Sequence, residues 1–523
     1  MFCRTNSVPL CCWLKSLLIC FVLLAGGGAT LPAVWAGCAD ADDKPATAAD
    51  AGASQFEESW QVVYIGKARV GYGRSSVGRR TIDGKERVVT DTEMTLAITR
   101  FGQTVKTRTS IQTEETDDGD LLEFHYELLN PPAAPTRSIG RVNGANLTLT
   151  SEINGKPGSR ELPWDDAIKS PTYHDRQLRE NPIKAGEKRT LKTFDPQFAK
   201  VNTISLQAGE LTNVALLGGN TKKLLDVKVT QSIAPQIVTH DFLDEKGDSL
   251  KSTVSLLGMA TYKVSKTEAL KALSGEEVDL AIATLVKTGE IKQPRQATRV
   301  VYRITIPGED PEAVLSSGPT QKVTRVDPHT IDLTVEAVSP PESGAPGRTA
   351  KEYLASNSYI QSDDEVVQKH ATEAVGDESD PWKSAQLMER WVQQNLKKKN
   401  FSTLLASAAE TAKELSGDCT EHAVLLAAMC RARMIPSRVV VGLVYVPAQT
   451  SFGGHMWTEV FVRGEWIPLD ATLGKGGIGA DHIKFADSSF SEEGASSPLE
   501  SFLPLVSVLG KMKIEVRHVA HAE

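Results

Sequence analysis

The sequence predicts an α+β protein in which one or two antiparallel β-rich domains precede a C-terminal domain of helices followed by strands. Three observations carry this. Between residues 58 and 290, short segments of alternating polarity recur, separated by turn-forming pairs. A Pro/Gly-rich stretch containing Pro340, Pro341, Gly344, Pro346 and Gly347 then breaks the chain. Beyond it, apolar residues recur at helical spacing and give way after Arg433 to a Val-rich run. A chain of 523 residues with 40% hydrophobic content can build two or three such cores.

Taken in order, residues 1–36 read as a signal peptide. Arg4 and Lys15 form a basic start, Leu17 to Ala25 an apolar run too short to span a bilayer, and Val34-Trp35-Ala36 a small-x-small cleavage pattern. Trp35-Ala36-Gly37-Cys38 offers a rival reading, a lipoprotein box whose lipidated Cys38 would attach the protein to a membrane; Trp35 stands where an aliphatic residue is usual. Both readings place the protein in the periplasm, the cell envelope or outside the cell. Residues 37–57, rich in Ala, Asp and Thr, read as a flexible linker.

The β-rich domain at 58–290 contains strand segments such as Trp60 to Tyr64, Glu93 to Ile98 and Asn146 to Thr150. Turn pairs include Asp83-Gly84, Asp118-Gly119, Asn143-Gly144, Asn154-Gly155 and Gly218-Gly219. This pattern predicts an antiparallel sheet curved as a half-barrel, with one helical interruption at Glu268 to Val286. A second β segment and linker fill 291–345, with strands at Ala297 to Tyr302 and Ile331 to Val335. The domain at 346–523 opens with helices at Asp363 to Ala374 and Trp382 to Lys398. Its tail after Gly474 reads as a Gly/Ser-rich loop to about residue 498, then a helix at Leu499 to Leu509 and a closing strand at Lys513 to Val519. The front half carries no motif with chemistry; its apolar and aromatic residues read as core.

The formal charge is −8, and −10 once Arg4 and Lys15 leave with residues 1–36, which hold no acid. An acidic chain without a basic patch argues against nucleic-acid binding. Lys397-Lys398-Lys399 reads as a solvated helix end. Of seven cysteines, Cys38, Cys419 and Cys430 remain after cleavage. Cys419 and Cys430 fall eleven residues apart on one predicted helix, about 16 Å at 1.5 Å per residue, too far to bond. An exported chain without a disulfide framework points to a reactive thiol rather than a structural one.

Chemistry concentrates in Gly417-Asp418-Cys419-Thr420-Glu421-His422-Ala423. Asp418 and Glu421 form a capping-box pattern at the start of a helix that runs to Arg433, which places Cys419 at its first position. The helix N-terminus carries partial positive charge, so the thiol pKa is expected below the free value of about 8.5. His455 follows 36 residues on and Asp470 another 15. Ser437 to Val446 predicts a buried strand, Gly453-Gly454 a turn, His455 to Val462 a second strand, Gly464-Glu465 a tight turn, and Trp466 to Asp470 a third strand. That hairpin would set His455 beside Asp470 at cross-strand distance. A thiol, a base and an orienting carboxylate make a nucleophilic triad. His422, three residues from Cys419, competes as base but reads better as a structural histidine. A Cys-x-x-His metal pair has no second ligand cluster to complete it, so no metal is expected.

The run from Ser416 to Pro447, with His455-Met456-Trp457 and Pro468-Leu469-Asp470, resembles the bacterial transglutaminase-like family of the papain-like thiol enzymes. The resemblance covers roughly residues 346–490. It implies a papain-like core, a helix bundle packed on an antiparallel sheet, with Cys419 as nucleophile, His455 as base and Asp470 as orienting carboxylate. It also implies a protein or peptide substrate whose amide bond is attacked to give a thioester, which passes to water or to an amine. Trp457 and Trp466 would wall the acyl tunnel; ordinary sheet packing accounts for them equally well. No nucleotide or phosphate motif appears, so no cofactor is expected. The rival reading is a non-catalytic envelope scaffold built on the same core, its β-rich half the working surface.

Overall fold

The computed structural model describes residues 56–522, apart from 274–277, 343–346, 402, 475 and 492–497. The expected leader 1–36, Cys38 and the linker to residue 55 lie outside the described residues. Among the described residues, no helix is long and apolar enough to cross a membrane.

The molecule is rich in sheet, with few helices. Fifteen strands form the first sheet. Its first arm is a run of antiparallel neighbours: β1 (Glu57–Ile65), β2 (Ala68–Ile82), β3 (Lys85–Arg100), β4 (Gln103–Glu115), β5 (Leu121–Leu129), β6 (Thr136–Asn143), β7 (Asn146–Ile153) and β8 (Lys156–Pro163). The second arm holds β9 (Ile168–Lys169), β10 (Lys188–Asp195), β11 (Lys200–Ala215), β12 (Thr221–Gln231), β13 (Thr239–Leu243), β14 (Ser249–Val254) and β15 (Met259–Val264). β1 pairs with β15 and joins the arms; β9 and β10 are parallel. Tight turns set this order. Asp83-Gly84 and Asn154-Gly155 both take positive φ at both positions, which matches the twist of two-residue hairpins. Phe101-Gly102 does the same between β3 and β4, with φ of 47° and 74°, although Phe is not a turn-forming type. The helix expected over Glu268 to Val286 is instead two short pieces, Lys266–Ala269 and Leu280–Ala283, each with its own N-cap, Ser265 and Asp279. The end of that stretch is a short strand, β16 (Val286–Lys287).

A four-stranded sheet contains β17 (Ala297–Thr305), β18 (Gln321–Asp327), β19 (Thr330–Glu336) and β24 (Lys513–His521) in the order β18-β19-β17-β24. The tail strand, expected to close the helical domain, pairs with β17 instead. β17 alternates buried Val300, Tyr302 and Ile304 with outward residues, and its second edge accepts the tail.

The third sheet, in the order β16-β21-β20-β23 with β22 on β21, contains β20 (Ser437–Val446), β21 (Ser451–Val462), β22 (Glu465–Leu469) and β23 (His482–Ser488). Helices Glu365–Val375, Pro381–Asn395, Ala408–Glu414 and Cys419–Ala432 belong with it; the last packs against β20, β21 and the other three helices. The sequence reading passed over Ala408–Glu414, which carries its own Ser407/Glu410 capping box. Every residue of the Cys419–Ala432 helix from Cys419 to Arg431 is buried, because helices and sheet enclose it on all sides. Gly453-Gly454 is strand rather than turn: the chain reverses at Pro447–Gln449, before Thr450 at φ 47°. The loop expected after Gly474 contains β23, which pairs with β20.

Arg431 ties this core together. Buried to 2% exposure, it donates to the carbonyls of Ala355, Ser437 and Ser489 at 2.7–2.9 Å. Arg431→Met removes these bonds and leaves three carbonyls without their donor. It is expected to cost about 3 kcal/mol or more of stability, read as a lower urea midpoint.

Candidate active site

The helix that carries Cys419 starts under tight local control. Asp418 Oδ1 accepts from the Thr420 N–H and hydroxyl, both at 2.8 Å, and Glu421 Oε2 accepts from the Asp418 N–H at 2.8 Å. This is the capping box expected from sequence. Gly417, at φ 152°, makes room for it: a Cβ there would lie 2.4 Å from Glu421 Cβ. Cys419 is 4% exposed, and its sulfur accepts from the backbone N–H of Met456. That N–H lies on β21 between the part paired with β16, at Phe452, and the part paired with β22, from Thr458 onward. The helix start thus meets the sheet next to His455.

His455 and Asp470 are brought together as the hairpin predicted. His455 Nε2 lies 2.8 Å from Asp470 Oδ2, with both side chains at most 1% exposed. Asp470 Oδ1 accepts from the Thr472 and Leu473 N–H groups. Burial alone would push this carboxyl up, but His455 and His482 outweigh it and hold Asp470 well below its ordinary range. An ionised Asp470 places the imidazole proton on Nε2. Nδ1 is then a lone-pair acceptor, buried and without a partner, the state a general base requires.

Sequence reasoning missed four neighbours. His482 Nε2 reaches the same Asp470 oxygen at 3.1 Å, and its Nδ1 meets Asp481 Oδ1 at 2.9 Å. Arg295 pairs with the other Asp481 oxygen. Glu389 Oε1 accepts from the Asp470 N–H at 3.0 Å and Oε2 from the Gly476 N–H at 2.7 Å. The alternation around His482 to Phe485 was a usable strand signal; nothing local marks Glu389, one carboxylate on an otherwise ordinary helix. His455, Asp470 and His482 offer ligand atoms within 4.8 Å of one another. The Nε2 atoms of both histidines meet the same Asp470 oxygen.

The thiol corrects a sequence expectation. Burial, reinforced by Asp418, pushes the Cys419 pKa well above its ordinary value; the Met456 N–H and Arg100 act against this without reversing it. The helix terminus is worth about 0.3–1 kcal/mol, under one pKa unit, whereas full burial shifts a group by up to about 3–5 units. Burial also lowers His455 below 6.5 despite Asp470. Both shifts favour a neutral thiol beside a neutral imidazole. Because the base form of His455 persists below pH 6.5, the rate of Cys419 reaction is expected to hold down to that pH. It should fall only as the solution is acidified through the lowered histidine pKa. A pH–rate profile of Cys419 alkylation checks this; an acid limb above 6.5 would contradict it.

His422 is tied to its own helix. Its Nδ1 bonds the Asp418 carbonyl at 2.6 Å, and burial followed by Lys399 lowers it to about 4. Cys430 is fully buried, with its thiol pushed up by burial, and neither cysteine is in a disulfide. Trp457 belongs to the site: it is 2% exposed, stacks on His455 with centroids 6.2 Å apart, meets His482 edge-on at 5.2 Å, and has no partner for Nε1. Gly442 makes room for its ring; a Cβ there would lie 2.6 Å from Trp457 Cη2. Trp466 does not join it. That ring packs on Tyr353 and Phe461 with the Arg438 guanidinium 4.1 Å above it, four residues from Asp470, about 13 Å at strand rise.

An uncharacterised protein of Haemophilus influenzae is 25% identical over 163 residues, 26% of this chain. The chain spans under half, 44%, of the length of that curated relative. A candidate cysteine protease from Cytophaga hutchinsonii covers 43% of this chain and 89% of its own, at 16% identity and a TM-score of 0.27. A beta-barrel-like protein from Brucella abortus, of a domain of unknown function, covers 39% of this chain and 93% of its own, at 12% identity and a TM-score of 0.30. The family description "Transglutaminase-like superfamily" matches residues 368–471, the stretch that contains Cys419, His455 and Asp470. Residues 368–471 are a transglutaminase-like domain.

Proposed function

We propose that this chain is an exported thiol enzyme that attacks amide bonds of proteins or peptides through Cys419, His455 and Asp470. The observation that carries this reading is the state of His455. Nε2 is held by Asp470 while the buried Nδ1 is left without a partner, one residue from the N–H that meets the Cys419 sulfur. In the reaction, Nδ1 takes the thiol proton as the sulfur adds to the carbonyl carbon. The Trp457 indole N–H, buried and unpartnered, is the donor assigned to the oxyanion. The imidazolium returns its proton to the leaving nitrogen as the C–N bond breaks, leaving a thioester. Water or an amine, deprotonated by the same Nδ1, then displaces the sulfur. Export rests on the pattern of residues 1–36.

Hydrolysis is the favoured outcome. Incubation with a carboxamide-rich protein, with and without a fluorescent primary amine, is expected to release ammonia or new amino termini without amine incorporation. Cys419→Ala should give neither. Equal product from Cys419→Ala would overturn the reading. The burial of Cys419 at 4% exposure favours the alternative, a binding or scaffold protein of the envelope, which predicts no reaction at this thiol.

A further inference from the structure

The front sheet reaches into the thiol site. Arg100, the last residue of β3, places Nη2 at 2.8 Å from Asp418 Oδ2, and both side chains are 1% exposed. Its Nη1 donates to the Thr403 carbonyl at 3.1 Å. The hairpin tip is anchored around it. The Phe101 ring packs on Phe401 at 4.8 Å, Gln103 Oε1 accepts from the Phe401 N–H at 2.9 Å, and the Gly102 N–H donates to Asp279 Oδ2 at 2.9 Å. Phe101 holds φ at 47° there, a conformation a bulky residue keeps only where its surroundings impose it. Asp418 is the cap of the helix and the residue before Cys419, so its charge opposes formation of a thiolate.

We propose that Arg100 is a positioning residue of the thiol site: it cancels the charge of Asp418 beside Cys419 and fixes the start of the helix that presents the sulfur. The β-rich half would then be part of the catalytic machinery, and the transglutaminase-like domain electrostatically incomplete without it. This rests on the thiol-enzyme reading above.

The charged and titratable groups around Cys419 are few. On its own helix they are Asp418, Glu421 and His422. Burial and the neighbouring Asp418 push Glu421 up, and burial lowers His422 to about 4. From β21 comes His455, linked to Asp470 and His482, and from the hairpin Arg100. Lys399 lies beyond His422. Asp418 is the acidic residue next to the sulfur in sequence, and Arg100 is ion-paired with it at 2.8 Å.

The test is the alkaline limb of the Cys419 alkylation profile, measured on the full chain with iodoacetamide and peptide mapping. Arg100→Met is expected to move its midpoint up by about one pH unit, about tenfold in rate at fixed pH on that limb. Asp418→Asn retains a capping side chain and should move it down by a similar amount. The double variant, with both charges gone, should return close to wild type, as should Arg100→Lys. If Arg100→Met does not fold, Asp418→Asn and the double variant decide by the same criteria. A profile that Asp418→Asn leaves unmoved or raises, or a double variant that stays shifted upward, overturns the proposal. His455→Ala separates the two readings. If it leaves the neutral-pH rate unchanged, the nucleophile–base reading itself fails. If it has its effect while the charge variants do not shift the profile, only the role of Arg100 fails.

Discussion

His455→Ala is expected to lower the rate of Cys419 alkylation at neutral pH by about 10²–10⁴-fold, the range of a positioned general base. The size follows from the resting state. The thiol is pushed well above its ordinary pKa by burial, so almost none is thiolate at neutral pH, and a reaction at that pH depends on a nearby acceptor for the proton. In the proposed reaction His455 Nδ1 is that acceptor: it is buried and unpartnered, and Nε2 lies 2.8 Å from Asp470. The variant deletes the acceptor and leaves the sulfur where burial holds it. Peptide mapping supplies an internal control, because Cys430, fully buried at the far end of the same helix, should stay unmodified in both proteins. A rate for Cys419 within a few-fold of wild type would remove His455 from the mechanism.

Asp470→Asn is expected to fold and yet to lose about 10⁴-fold in activity. Asn can keep its carbonyl oxygen toward the Thr472 and Leu473 N–H groups, which Asp470 Oδ1 now satisfies. Its NH₂ then faces His455 Nε2 and His482 Nε2, where Oδ2 now accepts. Each ring must become an acceptor at Nε2. For His455 this moves the proton to Nδ1, the nitrogen that serves as base, and the site is blocked without a change of shape. Circular dichroism and the urea midpoint should stay near wild type while turnover falls. Full activity in a folded Asp470→Asn protein would show that this carboxylate does not set the tautomer.

The capped helix start at Cys419 and the His455–Asp470 contact were legible in the sequence because each residue stands beside a strong local signal. Asp418 and Glu421 mark the helix start, the Val-rich run marks β20, and the short turn before Trp466 sets β22 against β21. The turn-forming pairs likewise gave the succession of hairpins in the front half. What was not legible depends on contacts distant in sequence. β1 closes on β15 and β24 on β17, and no local pattern states either pairing. Arg100 meets Asp418 across 318 residues, from a hairpin whose turn is built on a phenylalanine. His482 was hidden in a tail whose glycines and serines suggested a loop. The direction of the thiol pKa was misread for a related reason: the capped helix start is visible in sequence, whereas the burial that overrides it belongs to the assembled fold.

Acylation by an activated ester tests the central claim most directly, because it needs no knowledge of the natural substrate. With excess p-nitrophenyl acetate, the full chain should release a burst of one p-nitrophenolate per molecule. It should also gain one acetyl group that maps to Cys419 and is discharged by hydroxylamine, as a thioester is. Cys419→Ala should show no burst. A protein that releases no burst, or whose acetyl group maps elsewhere, would contradict the assignment of Cys419 as a working nucleophile.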